Sequence, residues 1–191
     1  MNGVSANVNK AHRVLLVPGL RNSGPAHWQT LWERAHPDYR RVVQRDWDDP
    51  KIEIWADAIG RELQASELPA ILVAHSVGCL AAVQSARRAG GRVCGAMLVA
   101  PADPQRFAVE AALPREPLGF PTILVASSSD PWLSLAHART LARDWCSNLV
   151  NLGNCGHINA ESGYGAWPVG ERLLYELQKL IGTPQPVRQL A

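Results

Sequence analysis

The 191-residue sequence has no uncharged apolar run that approaches the roughly 18 residues needed to cross a membrane. Residues 1–12 are polar and lack the apolar stretch of a secretory signal peptide. Concentrated positive charge is absent too, because 19 basic and 17 acidic side chains are dispersed and leave a net charge of +2. We therefore expect neither a membrane nor a nucleic acid as partner, since nucleic-acid binding needs a concentrated basic surface.

Cysteine is scarce, with four residues and no C-x-x-C pair. This pattern predicts reduced thiols in a cytoplasmic protein. No His, Cys, Asp or Glu residues have metal-site spacing such as H-E-x-x-H, so we expect no metal and no cofactor. The glycines at 19 and 24 match neither common phosphate-binding template, which disfavours nucleotide binding.

Hydrophobic residues make up 47% of the chain and charged residues 19%, a composition that excludes an intrinsically disordered protein. The length predicts one domain, which we place at residues 12–182. Polar segments at 1–11 and 183–191 bracket it, and prolines in the second oppose further helix. We expect both segments to be flexible tails.

Short apolar runs alternate with longer segments of helical periodicity. The predicted strands are 13–17, 70–74, 95–100 and 122–126, with weaker candidates at 41–44 and 149–152. The predicted helices are 25–35, 51–64, 77–89, 133–146 and 169–181. Continuously apolar strands are typical of sheets covered on both faces. We therefore predict an α/β fold: a doubly wound, mostly parallel sheet of about six strands flanked by helices.

Ser76 follows the strand 70–74 and precedes a helix of small residues, in the sequence A-H-S-V-G. A strand–turn–helix with serine at its apex is the nucleophile elbow of α/β hydrolases, which needs small residues two positions before and after the serine. Ala74 and Gly78 meet that need, although glycine is usual at both places. An ordinary helix N-cap serine is the alternative interpretation. We interpret His75 as structural.

Two further side chains complete a candidate triad. Asp130 follows the strand 122–126, and His157 follows the strand 149–152, so both are expected where open α/β sheets place their sites. The chain order Ser76, Asp130, His157 is the one that α/β hydrolases use. Asp103, which follows the strand 95–100, is the alternative acid, although it also suits a turn.

These residues predict acyl transfer. His157 would take the proton of Ser76 as general base, and Asp130 would orient the imidazole. The oxyanion would be held by the backbone N–H groups of Val77 and Leu20.

Seven tryptophans stand out beside two phenylalanines and three tyrosines. Helical spacing predicts that Trp28, Trp32, Trp55 and Trp145 belong to the core. Trp132 and Trp167 follow Asp130 and His157 in the chain, so with Asn22 they are candidates for the substrate pocket. Only about twenty residues separate the strand ending near 100 from the next, and five are prolines, which predicts a hydrolase without a lid.

Four motifs resemble one family. They are V-P-G-L-x-N-S-G-P-x-H-W-Q at 17–29, A-H-S-V-G at 74–78, A-P-A-D-P at 100–104, and G-H-I-N-A-E-S-G at 156–163. The chain is similar to the serine hydrolases of the retinoblastoma-binding protein 9 family, in particular its bacterial branch of predicted esterases, over residues 13–181. The resemblance implies a compact α/β hydrolase with a triad on Ser76, Asp130 and His157. The L-x-C-x-E signature associated with retinoblastoma binding is absent, so that role is not implied.

The predicted function is a serine hydrolase that cleaves small carboxylic esters through an acyl-enzyme on Ser76. One alternative is a catalytically silent binding protein with the same fold. Another is an amidase or aminopeptidase, for which Glu161 is a candidate anchor of the free amino group. The expected partner is a small ester or amide, and the sequence leaves the oligomeric state open.

Overall fold

Six parallel strands run through the computed structural model, which describes residues 12–182. They are β1 (Arg13–Val17), β2 (Tyr39–Arg41), β3 (Ala70–His75), β4 (Val93–Val99), β5 (Thr122–Ala126) and β6 (Asn148–Asn151). They form one sheet in the order β2-β1-β3-β4-β5-β6, and every neighbouring pair is parallel. The predicted doubly wound α/β sheet is confirmed. The tails predicted at 1–11 and 183–191 lie outside the described residues.

Five helices cover the two faces of the sheet. They are α1 (Trp28–Ala35), α2 (Ile52–Gln64), α3 (Val77–Arg88), α4 (Leu135–Asp144) and α5 (Pro168–Gly182). Helices α2, α3 and α4 pack on one face, and α1 and α5 pack on the other. Successive strand residues point to opposite cores, as Leu72 and Val73 of β3 do. Two buried faces explain why the strands are continuously apolar.

The tryptophans of the helices lie in these cores. Trp28 and Trp32 pack with α5 on one face, and Trp55 and Trp145 lie on the other, all four almost fully buried. The prediction that they are core residues is confirmed. None of the helices within residues 12–182 is long and apolar enough to span a membrane.

Most element boundaries differ from the prediction by one or two residues, and the differences at β2 and α1 bear on the site. Strand β2 ends at Arg41, where the sequence predicted 41–44, and α1 begins at Trp28 rather than at residue 25. The start of α1 is set by His27, whose ring accepts a hydrogen bond from the Gln29 N–H at 3.2 Å. The connection between β4 and β5 contains two short 3-10 turns, Pro104–Phe107 and Glu110–Ala112, so the predicted absence of a lid domain is confirmed.

A buried glutamine joins the carboxyl ends of β1 and β3 at the centre of the sheet. The amide nitrogen of Gln29 donates to the carbonyl oxygens of Val17 at 3.2 Å and Val73 at 3.0 Å. Its amide oxygen accepts from the Ser23 hydroxyl at 2.6 Å. The chain leaves β1 toward one face and β3 toward the other, so Gln29 fixes the crevice at which such sheets place their sites.

We expect Gln29→Leu to lower the free energy of unfolding by about 3 kcal/mol, because it leaves buried polar groups without partners. Urea denaturation of the purified proteins measures this. The matched control is Gln64→Leu at the exposed end of α2, for which we expect a change within about 0.5 kcal/mol. Equal unfolding midpoints for the two variants would contradict this role of Gln29.

Candidate active site

Ser76 occupies a strained turn between β3 and α3. Its backbone angles are φ 54° and ψ −128°, a conformation that is costly for a residue with a Cβ. Its N–H donates to the Val99 carbonyl at 3.0 Å, which ties the turn to β4. Ser76 stands at the N-cap position of α3, yet its side chain makes no capping hydrogen bond. The hydroxyl is therefore available for another partner.

That partner is His157. The Ser76 Oγ lies 2.9 Å from His157 Nε2, and His157 Nδ1 lies 3.0 Å from both carboxylate oxygens of Asp130. Since a carboxylate only accepts hydrogen bonds, Nδ1 carries the proton and donates it to Asp130. In the neutral ring, Nε2 therefore accepts from the Ser76 hydroxyl. The structure thus brings together all three residues predicted from the chain order.

Asp130 is held by its own loop and by the loop that carries His157. Its side chain is only 3% exposed, and its Oδ1 also accepts from the Trp132 N–H at 2.9 Å. Ser127 and Ser129, which the sequence analysis missed, join the two loops by accepting hydrogen bonds from the N–H groups of Cys155 and Gly156, both at 3.0 Å. Their only sequence signal is a run of three serines after β5.

The alternative acid, Asp103, lies elsewhere. Its Oδ1 accepts from the Gln105 N–H at 3.0 Å, which caps the 3-10 turn Pro104–Phe107, and lies 3.5 Å from Nδ1 of His137. Asp103 therefore caps a turn, which is the alternative role that its sequence context predicts. Asp130, and not Asp103, contacts His157.

His75 forms a hydrogen bond with the backbone of His157. Its Nε2 lies 2.9 Å from the His157 carbonyl oxygen and must donate to it, because a carbonyl oxygen only accepts. Burial, followed by the neighbouring His157 and His27, lowers the pKa of His75 well below its ordinary value. His75 is therefore a neutral donor that fixes the His157 backbone, in agreement with its structural interpretation.

A cleft of about 270 Å³ opens beside Ser76 and His157. Leu20, Phe107 and Trp132 form its apolar wall, while Asn22, Asn159 and Glu161 supply polar groups. The Trp132 ring is 6.0 Å from the His157 ring and 41% exposed. Other hollows exist in the described part of the chain, including one of about 470 Å³ between α2 and α3, which none of the predicted site residues lines.

The prediction that Trp167 lines the pocket is wrong. Trp167 is 6% exposed and stacks on Trp32, with 5.8 Å between ring centroids and 13° between ring planes. It lies immediately before α5 with a positive φ of 46°, and it packs into the core with Trp28 and Trp32. Asn22 does line the cleft, although its amide oxygen is occupied by the Arg41 guanidinium at 2.6 Å.

The loop after β1 lies directly against Ser76. A Cβ on Gly19 would come within 2.8 Å of the Ser76 Cβ, so only glycine permits this approach. Leu20 follows in this loop, and Val77 opens α3, where the first N–H groups have no partner within the helix. Within residues 12–182 neither N–H donates to a protein acceptor. Both groups predicted to hold an oxyanion are therefore free to do so.

The arrangement can perform nucleophilic chemistry. A serine hydroxyl bonded to a neutral imidazole, which is itself oriented by a carboxylate, is the requirement for a serine nucleophile. Among residues 12–182, no group of three or more His, Cys, Asp or Glu side chains is arranged to hold a metal ion.

Comparisons with known proteins agree with this geometry. The family model described as serine hydrolase matches residues 14–176. A solved structure described as a YdeN-like hydrolase of Pectobacterium atrosepticum is 42% identical, with a TM-score of 0.86, over 88% of this chain and 91% of that chain. The ydeN gene product of B. subtilis is 20% identical, with a TM-score of 0.73, over 88% of this chain and 99% of its own, and shares the fold. So does the esterase domain of a Rhodothermus marinus protein, 18% identical with a TM-score of 0.69, over 93% of this chain and 90% of its own. No curated protein sequence matched the chain.

Proposed function

The chain belongs to the serine hydrolase family of the α/β-hydrolase superfamily, and from this premise we propose that it cleaves small carboxylic esters through an acyl-enzyme on Ser76. The observation that carries the proposal is the continuous hydrogen-bonded path from Ser76 through His157 to Asp130. An intact path of this kind argues against a catalytically silent binding protein, which has no need to keep all three side chains.

The reaction follows from the residue chemistry. The Ser76 oxygen attacks the ester carbonyl while His157 Nε2 takes the hydroxyl proton, and Asp130 stabilises the imidazolium that forms. The N–H groups of Leu20 and Val77 hold the oxyanion, and the positive end of α3 favours its charge. The imidazolium then gives its proton to the departing alcohol. A water molecule, activated by His157, hydrolyses the acyl-enzyme and restores the Ser76 hydroxyl.

The size of the cleft supports small substrates. A volume of about 270 Å³ is just below the range of roughly 300–1,000 Å³ that is typical of ligand pockets, and the connection after β4 adds no lid that could enclose a long acyl chain. All four cysteines are unpaired, which supports a cytoplasmic location. We therefore expect a small ester of the cytoplasm as the substrate.

Cleavage of aminoacyl amides is a second candidate. The Glu161 side chain lines the cleft, and a carboxylate there would pair with the free amino group of an aminoacyl substrate. An amide requires stronger protonation of its leaving group than an ester does, so esters remain the first choice.

A fluorophosphonate probe and a substrate series test the proposal. We expect the probe to label the wild-type protein on the peptide that contains Ser76, as read by mass spectrometry, and to leave Ser76→Ala unlabelled. Ser66→Ala, on a loop that does not line the cleft, is the matched control and should be labelled fully. In the same proteins, p-nitrophenyl acetate should be hydrolysed faster than long-chain esters and aminoacyl anilides.

Two outcomes would contradict the proposal. Equal labelling of wild type and Ser76→Ala would remove Ser76 as the nucleophile. Labelling on Ser76 without turnover of any short ester would remove small esters as the substrate class, and faster turnover of anilides would favour the aminopeptidase candidate.

A further inference from the structure

His27 forms part of the cleft wall, and one of its two ring nitrogens caps a helix. Its Nδ1 accepts the hydrogen bond from the Gln29 N–H, at 3.2 Å, that caps α1. A nitrogen that accepts a hydrogen bond carries no proton, so the proton of the neutral ring is on Nε2. The opposite end of the ring is therefore a hydrogen-bond donor.

That donor has no partner. His27 is 6% exposed, and its Nε2 is buried without a hydrogen-bond acceptor among residues 12–182. A buried donor left unpaired is costly, so its presence calls for an explanation. His27 lines the cleft together with Ser76 and His157, and its ring contacts the His75 ring edge-on at 4.9 Å. The side chain that carries the unpaired donor therefore forms part of the wall of the proposed active site.

The ring stays neutral under ordinary conditions. Burial, followed by the charges of Arg41 and His157, lowers the pKa of His27 to about 4. Above that pH the Nδ1 lone pair remains available to cap α1, and Nε2 remains the only protonated ring nitrogen. The direction of the donor is consequently fixed by the helix cap rather than by the substrate.

The position of His27 indicates which part of a substrate it would meet. Leu20, whose N–H is a candidate donor to the oxyanion, and His27 belong to the same segment between β1 and α1. The carbonyl oxygen of the substrate must approach the Leu20 N–H, so a donor from the same segment would meet a group close to the reacting carbonyl. An oxygen close to the reacting carbonyl, such as one on the carbon next to it, is a suitable acceptor.

We propose that His27 is a specificity-determining residue whose Nε2–H donates to a second oxygen on the acyl group, so that the site prefers esters of 2-hydroxy or 2-alkoxy acids. This inference rests on the proposed ester hydrolysis at Ser76 and names the substrate class of that site. It assigns His27 a contact with substrate, whereas the sequence alone predicts only a place within the helical segment 25–35.

Two substitutions at position 27 distinguish the role of Nδ1 from that of Nε2. In His27→Asn the side-chain oxygen can replace Nδ1, because asparagine is a favoured N-cap, but the distant donor is lost. In His27→Gln the longer amide can present an N–H near the place of Nε2, but the cap is lost. A residue that only caps α1 would give the opposite order of effects.

The experiment compares p-nitrophenyl methoxyacetate with p-nitrophenyl butyrate, whose acyl groups differ by one oxygen in place of a methylene. The measured quantity is the ratio of their kcat/KM values in each variant, since differences in intrinsic ester reactivity cancel between variants. A neutral hydrogen bond predicts that this ratio falls about 5- to 10-fold in His27→Asn. In His27→Gln we expect the ratio to remain within about twofold of wild type, with a lower urea midpoint from the lost cap.

His36→Asn is the matched control, because His36 ends the same helix and its ring pairs with Glu171 away from the cleft. Its ratio should equal that of wild type. Fluorophosphonate labelling of every variant checks that Ser76 remains in place. An unchanged ratio in His27→Asn, or an equal fall in His36→Asn, would overturn the role of His27 while ester hydrolysis stands. Wild-type protein that hydrolyses neither ester would instead overturn the proposed function.

Discussion

Asp130→Asn is expected to lower kcat for short esters by about 10⁴-fold, whereas Asp103→Asn should stay within about twofold of wild type. The Asp130 carboxylate accepts from His157 Nδ1 at 3.0 Å and so keeps the other ring nitrogen free to accept from Ser76. An asparagine can turn its NH₂ toward Nδ1, which would place the ring proton on Nε2. His157 could then no longer take the Ser76 proton.

Asp103→Asn is a fair control because asparagine also caps the 3-10 turn that Asp103 begins. Steady-state hydrolysis of p-nitrophenyl acetate gives both comparisons, and Ser76→Ala sets the lowest rate in the same assay. Similar losses in the two asparagine variants would show that the acid had been assigned wrongly. Unfolding in urea should leave Asp103→Asn close to wild type, which separates a catalytic loss from a folding defect.

The sheet could be predicted because its strands are buried on both faces. Strands such as β3 and β5 are almost continuously apolar, so their sequences predict buried strands. Strand β2 is an edge strand of three residues, Tyr39–Arg41, and none of them is buried. Because β2 contains no apolar run, the sequence predicts this strand at 41–44 instead of 39–41.

The residues of the candidate triad could be predicted because each follows a strand, and parallel strands end at the same edge of a sheet. Trp167 could not be placed by that rule, because its direction depends on a positive φ and on packing against Trp28 and Trp32. His27 was missed for a similar reason. Ser23, Gly24 and Pro25 give the stronger signal for a helix start, and which ring nitrogen caps α1 is a matter of geometry alone.

The A-H-S-V-G motif is explained by the contact between α3 and the end of β1. A Cβ on Gly78 would collide with the Pro18 carbonyl oxygen and lie 2.6 Å from that of Val17. A Cβ on Gly19 would meet Ser76 at 2.8 Å. Ser76 therefore lies where α3 and the loop after β1 both come close to the chain. These two contacts maintain its strained φ. Ala74, completely buried two residues earlier, shows that this position tolerates one methyl group where glycine is usual.

Gly78→Ala is accordingly expected to destabilise the protein by about 4 kcal/mol and to abolish fluorophosphonate labelling of Ser76. The added methyl group faces backbone oxygens, which cannot rotate aside as a side chain could, so β1 or α3 must move. Gly60→Ala, in the interior of α2, makes the same chemical change where the new Cβ would come no closer than 3.9 Å to Ser85 Oγ.

The Gly60 variant should gain up to about 1 kcal/mol from helix propensity and keep full labelling. Urea denaturation and probe labelling of both variants make the comparison. A Gly78→Ala protein as stable and as reactive as wild type would mean that α3 and β1 can separate without disturbing Ser76. The close contact between α3 and β1 would then not explain why residue 78 is glycine.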